Sequence, residues 1–238
     1  MITINKLTKL YSNKRGVKNV SFTVQTGDIL GLLGPNGSGK TTIMKTMLGL
    51  TRETDGTVEV DGKDIHEHFE EIMRRTGALI EAPAIYKDLT AYQNMFLAAK
   101  TRAERKDIDR LLKLVHLEKY AGDKAGRFSL GMKQRLGLAE AFMGHPDIVL
   151  LDEPVNGLDI EGVVEVRDII KGMNEKYGTT FIISSHIASE IEKVCNKAAV
   201  IYDGELIAFD TMERILSLYP SLEEYFLDRV HERRGSAI

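Results

Sequence analysis

Eight residues, Gly34-Pro35-Asn36-Gly37-Ser38-Gly39-Lys40-Thr41, have the spacing G-x-x-x-x-G-K-[ST], which suits a chain of phosphates. Gly34, Gly37 and Gly39 let the backbone turn tightly and approach an anion with no Cβ in the way. An apolar run, Ile29-Leu30-Gly31-Leu32-Leu33, precedes them, and the helix-like stretch Thr42–Leu48 follows. A strand that feeds such a turn into a helix aims backbone N–H groups, Thr42 included, and the positive end of a helix dipole at one point. Lys40 supplies a mobile positive charge for the outer phosphates, and Thr41 a hydroxyl for a phosphate-bound magnesium ion. The octapeptide in this context points to a nucleoside triphosphate.

A second constellation is Ile148-Val149-Leu150-Leu151-Asp152-Glu153, four apolar residues ending in two acids. A buried parallel strand delivers acids at its carboxyl end, where ligands of open α/β sheets bind. Asp152 can hold magnesium through water, and Glu153 can polarise a water for attack on a γ-phosphorus. A third segment, Arg127–Leu136, contains Ser129, a natural N-cap for the helix carrying Leu136, Leu138, Ala139 and Phe142. It reads either as a capped helix alone or as a second anion site at an open helix N-terminus, and the residues leave both readings open.

The elements that must position these groups follow from periodicity and turn signals. Strands are predicted at Met1–Leu7, Val17–Val24, Ile29–Leu33 and Thr57–Val60, with turns at Gly16, Thr26-Gly27-Asp28 and Asp55-Gly56. Helices are predicted over His66–Arg75, Thr90–Thr101 and Lys106–Leu117, with a short strand at Ala78–Ile80. Beyond Asp147 strand and helix alternate: Ile148–Leu151, Gly162–Tyr177, Thr180–Ser184 and Ile187–Cys195. Strands Ala198–Tyr202 and Glu205–Ala208 then flank an Asp203-Gly204 hairpin turn. This is an α/β pattern with a largely parallel sheet, interrupted by a helical block over about 84–143 that reads as an inserted subdomain. The main domain is placed at 1–218 and a helical tail at 219–238, to which no chemistry is assigned.

The bulk numbers narrow the class. With 238 residues, 28% charged and a net charge of −3, the chain suits neither coating nucleic acid nor a disordered acidic tail. The single cysteine, Cys195, excludes an intrachain disulfide framework. No run approaches a membrane span and the N-terminus lacks the apolar core of a signal peptide, so a soluble cytosolic protein is expected.

These motifs, in this order, resemble the ATP-binding subunit of ABC transporters over nearly the whole chain. Gly34–Thr41 resembles Walker A, and Ile148–Glu153 resembles Walker B with its glutamate. Phe128-Ser129-Leu130-Gly131-Met132 resembles the signature LSGGQ, Asn156-Gly157-Leu158-Asp159 the D-loop, and Ser184-Ser185-His186 the switch histidine after its strand. Tyr11 lies where the family has an aromatic that stacks on adenine, although a tyrosine there could also simply pack a hairpin. The resemblance implies a P-loop NTPase fold of ABC type: a mostly parallel core sheet, an antiparallel N-terminal β region and an inserted helical subdomain. It implies ATP and Mg2+, with Glu153, His186 and Lys40 as catalytic candidates and Thr41, Asp152 and Glu81 as metal candidates. It implies a homodimer or heterodimer of ATPase subunits, head to tail, with Ser129 and Gly131 facing the partner's nucleotide and with Asp159 of the D-loop among the nucleotide-binding residues. It also implies membrane-spanning subunits as partners, a place on the cytoplasmic face of the membrane reached only through them, and no nucleic-acid role.

Two departures stand out. Leu130 and Met132 replace the Gly and Gln of the general signature, and Glu81 stands where the Q-loop normally has glutamine. Ile80-Glu81-Ala82-Pro83, with Ser129-Leu130-Gly131-Met132-Lys133-Gln134, resembles the bacitracin and lantibiotic resistance or immunity branch of bacterial exporters. Competing expectations are an ABC ATPase serving another drug, a lipid or sodium, a non-transport ABC ATPase, and a small-molecule kinase. The absence of sustained heptads and of a basic patch argues against the non-transport reading, and the signature segment argues against a kinase.

Overall fold

The computed structural model describes residues 1–12 and 15–235, in two compact units: Met1–Met73 with Thr180–Ile238, and Arg74–Thr179.

In the first unit the strand Ile29–Leu33 is buried along its whole length, as a strand covered on both faces must be. It pairs in parallel with Thr180–Ser185 on one side and with Lys197–Tyr202 on the other, so that Leu33 lies opposite both Ser185 and Val200. Lys197–Tyr202 turns at Asp203-Gly204, both in the left-handed region, into the antiparallel strand Glu205–Thr211. A second, antiparallel sheet has the order Gly16–Val24, Ile2–Leu10, Asp55–Val60, Lys63–Asp64. It buries Ile2, Ile4, Leu7, Val17, Val20, Val24, Val58 and Val60. The helix expected from His66 begins at Phe69, because the Asp64 carboxylate accepts the N–H groups of His66 (2.8 Å) and Glu67 (3.2 Å) and holds a turn there. The chain ends in helices Met212–Leu218 and Leu222–Gly235. The last of these buries Leu222, Tyr225 and Val230, and the Leu222 N–H donates to the Glu192 carboxylate at 2.7 Å.

In the second unit the buried strand Ile148–Asp152 pairs in parallel with Thr76–Leu79. Helices Ala91–Ala98, Arg102–Lys106, Ile108–Leu114, Leu130–Ala141 and Ile160–Tyr177 contribute Met95, Ile108, Leu111, Leu112, Leu136, Leu138 and Val166 to its core. The helix expected over 106–117 runs from Ile108 to Leu114, after Asp107, whose carboxylate is taken by the Arg110 guanidinium at 2.6 Å, and a separate short helix, Arg102–Lys106, precedes it where none was expected. Thr101 opens the shorter helix by accepting the Glu104 N–H. Helix Leu130–Ala141 fits against Pro83 through Gly137, where a Cβ would lie 2.8 Å from the proline ring.

Candidate functional site

The phosphate loop sits in the first unit, between Ile29–Leu33 and helix Lys40–Met47. Gly34 donates its N–H to the Ser185 carbonyl at 3.4 Å, and a Cβ on it would lie 2.1 Å from the Ile201 carbonyl oxygen. Gly39 has φ 111° and a Cβ there would strike Val17 at 2.3 Å, so neither position admits a side chain. Gly37, at φ 81°, faces open space, which leaves its backbone approachable. Gly39 is the N-cap of the helix, and among the described residues no side chain caps it or places an acid in its first turn. The first N–H groups of that helix therefore face whatever the loop holds.

Two polar groups test whether a phosphate fits. Ser38 is buried at 3% exposure, and its Oγ finds no hydrogen-bond partner among the described residues. A buried hydroxyl left so would be satisfied by an anion in the loop. The Lys40 ammonium, also buried, donates to the carbonyl oxygens of Gly34 (2.7 Å) and Pro35 (3.2 Å). Pro35 and Asn36 are exposed on the rim, and Thr41 and Thr42 are half-buried in the first helical turn. Loop and lysine thus provide N–H groups, a hydroxyl and a cation at one place, the chemistry that phosphate oxygens require.

Two other candidates belong to the same unit. His186 is exposed and directly follows strand Thr180–Ser185, whose Ser185 lies opposite Leu33 in register. It is not the cap of the next helix, a position held by Ile187. Tyr11 lies in the turn after Ile2–Leu10, with 42% of its surface exposed and the Lys9 ammonium 5.4 Å from its ring centre. The ring is therefore not consumed in packing the hairpin, whose Val17 abuts Gly39.

The second unit holds the acids. Asp152 ends the buried strand at 4% exposure, and Glu153 follows it, half-buried with φ 49°. A residue before proline avoids helical conformations, and a side chain at positive φ is strained by about 1–3 kcal/mol. Glu153 meets both conditions, since Pro154 follows, and strain of this kind concentrates where a side chain has to be aimed. Glu81 follows the adjacent parallel strand, whose Leu79 pairs with Leu151, so Glu81, Asp152 and Glu153 all come at the carboxyl ends of this strand pair. Glu81 is exposed and also left-handed, at φ 62°.

Ser129 and Asp159 are both helix caps in this unit. The Ser129 hydroxyl accepts the Met132 N–H at 3.2 Å, and the Asp159 carboxylate accepts the Gly162 N–H at 2.9 Å. Gly131 faces the Gly157 carbonyl, with room for a Cβ only at 3.3 Å. Ser129, Gly131 and Asp159 line one open groove of about 680 Å³. Among the described residues no group of three or more His, Cys, Asp or Glu side chains could hold a metal by itself. Magnesium that travels with phosphates takes only one or two protein oxygens, so single donors such as Thr41 and Asp152 are the kind it uses.

Sequence reasoning gave two residues of this unit no role. Gln134 is buried at 4% exposure, and its Nε2 donates to the carbonyls of Pro154 (3.0 Å) and Glu153 (3.5 Å). The one signal available was an amide on the apolar face of a helix. Glu140, on the same helix, has its carboxyl pushed up to about 7 by burial.

The ABC transporter family model matches residues 17–156. The chain is 40% identical over 219 residues to the bacitracin transport ATP-binding protein BcrA of Bacillus licheniformis, covering 90% of this chain and 72% of that one. It is 37% identical over 231 residues to the lantibiotic transport ATP-binding protein SrtF of Streptococcus pyogenes, covering 97% of both. Its structure matches that of an ATP-binding subunit of an ABC transporter with TM-score 0.87 at 26% identity, over 97% of this chain and 99% of the other. It also matches a dimeric ATP-binding cassette in a post-hydrolysis state with ADP and phosphate (TM-score 0.80, 26% identity, 89% of this chain, 99% of that one).

Proposed function

The chain belongs to the ABC transporter family as an ATP-hydrolysing subunit, and we propose that it powers a bacterial exporter that removes or neutralises membrane-active peptide antibiotics. The observation that carries the cargo class is identity of 37–40% with bacitracin and lantibiotic transport subunits over nearly the whole chain. In this reading two ATPase subunits meet head to tail and work with membrane-spanning subunits. Among the described residues no helix is long and apolar enough to cross a membrane, which suits a cytoplasmic subunit held at the membrane by such partners.

The residues divide the work as follows. Backbone N–H groups of Gly37–Thr42, the Ser38 hydroxyl and the Lys40 ammonium bind and orient the triphosphate, while Tyr11 stacks on the base. Lys40 balances charge that develops on the γ-phosphate oxygens. Glu153 accepts a proton from the attacking water, and His186 fixes the γ-phosphate end of the substrate. Mg2+, when bound with the nucleotide, would neutralise phosphate charge, and Thr41, Asp152 and Glu81 would hold it. Ser129 and Gly131 present a second helix N-terminus, and Asp159 the D-loop, to the nucleotide of the other subunit. The helices within 84–143 would carry the movement to the membrane subunit.

The experiment is a survival assay. The chain is expressed with its membrane subunit in a sensitive host, which is challenged separately with bacitracin, a lantibiotic, an amphiphilic drug and high sodium. Protection against the peptides that Lys40→Ala abolishes supports the reading. Protection confined to the drug or to sodium replaces the cargo, and none at all in a complex that hydrolyses ATP removes the resistance role.

A further inference from the structure

We infer that Gln134 is a positioning residue, which holds the backbone at Glu153–Pro154 and ties the aim of the Glu153 carboxylate to the helix that Ser129 caps. The inference rests on the proposal that Glu153 activates water.

Gln134 is almost fully buried, and its amide is spent on main chain: Nε2 donates to the Pro154 carbonyl at 3.0 Å and approaches the Glu153 carbonyl at 3.5 Å. The Pro154 carbonyl takes its hydrogen bond from a side-chain N–H, which glutamine supplies and an ionised glutamate or a methionine does not. The segment it grips is strained. Glu153 has φ 49° and precedes proline, a conformation that persists only where its surroundings fix it. The Asn156 N–H donates to the same Glu153 carbonyl at 3.1 Å from the other side.

The same helix touches this segment again. Leu130, its first residue, rests on Gly157, where a Cβ would lie 2.5 Å from the leucine Cδ2. Leu130 and Gln134 are four residues apart and so share a helix face. That face meets the 153–157 segment near both its ends. A helix moves as a rigid body over one turn, so a displacement of its exposed N-terminus at Ser129 reaches Gln134 and the Glu153 carbonyl together. Contact of Ser129 with the other subunit's nucleotide thereby sets the geometry of this subunit's own Glu153, a direct link between the two ATP sites.

The test compares Gln134→Met, Gln134→Glu and Glu153→Gln in the full chain, reading kcat, KM, the Hill coefficient for ATP, nucleotide affinity and melting temperature. Gln134→Met should lower kcat about 10-fold, the effect of one lost buried hydrogen bond, with KM and affinity within about 2-fold. The Hill coefficient should fall toward one. Gln134→Glu should be impaired at alkaline pH and regain kcat as the pH falls, because a protonated carboxyl recovers one O–H donor. Unchanged kcat and Hill coefficient in Gln134→Met, with Glu153→Gln inactive, would overturn the link and leave the role of Glu153 intact. Parallel losses of kcat, affinity and melting temperature would reduce Gln134 to core packing. If Gln134→Met does not fold, the pH profile of Gln134→Glu decides, and a flat profile overturns the inference. Wild-type turnover in Glu153→Gln removes the premise and the inference with it.

Discussion

The ammonium of Lys40 lies 2.7 Å from the carbonyl oxygen of Gly34, so the lysine closes on the first residue of the loop that presents it. Those contacts hold the side chain where phosphate oxygens would pass. Lys40→Ala removes the cation and the charge-assisted bonds it would make, and should weaken ATP binding by roughly 10- to 100-fold. Equilibrium titration with a fluorescent ATP analogue measures this, and unchanged affinity would contradict it.

Glu81 is exposed and left-handed, at the carboxyl end of the strand pair that also carries Asp152 and Glu153. Glu81→Gln keeps the shape and exchanges two acceptors for an acceptor and a donor. The isolated chain should bind ATP as before. Stimulation of hydrolysis by the membrane subunit and peptide should change, and protection should fall. Basal rate, stimulated rate and survival all equal to wild type would leave Glu81 an ordinary surface acid.

Glu140 gives a pH-dependent stability. Burial raises its folded pKa from 4.5 to about 7, so the folded chain keeps a proton that the unfolded chain loses within that window. Stability contributed by this group is therefore greatest at low pH and falls as pH rises from about 4.5 to about 7, by at most about 3 kcal/mol. Glu140→Gln should flatten that slope and be the more stable protein at pH above the window. Urea melts on both sides of the window check it, and parallel pH profiles for the two proteins would contradict it.

The sequence carried the parts whose signal is local. Ile29–Leu33 and Ile148–Asp152 read as buried parallel strands because both faces are covered and the runs are unbroken. Ser129 read as a cap because its hydroxyl needs only the N–H three residues on. The short helix Arg102–Lys106 was hidden, because it buries none of its five side chains and so shows no apolar period. The two-residue strand Lys63–Asp64 is too short to show alternation. Gln134 was named only as part of a resemblance, and its role was hidden because its partners, the carbonyls of Glu153 and Pro154, are distant in sequence and leave no trace in side-chain type. Gly157 likewise needs to be glycine for Leu130, a residue from another element.

With no spanning helix among the described residues, the chain expressed alone should remain in the supernatant after ultracentrifugation and move to the membrane fraction only with its membrane subunit. Binding of the purified chain to protein-free liposomes would contradict that dependence.

The proposed division of roles requires that ATP bound by the Gly34–Thr41 loop be hydrolysed with Glu153 as the base. Its most direct test is phosphate release by Glu153→Gln at saturating ATP, with light scattering on the same sample. Turnover should be lower by about 10²–10⁴, with ATP binding retained and an ATP-dependent dimer accumulating. Wild-type phosphate release from a protein that remains monomeric with ATP would contradict it.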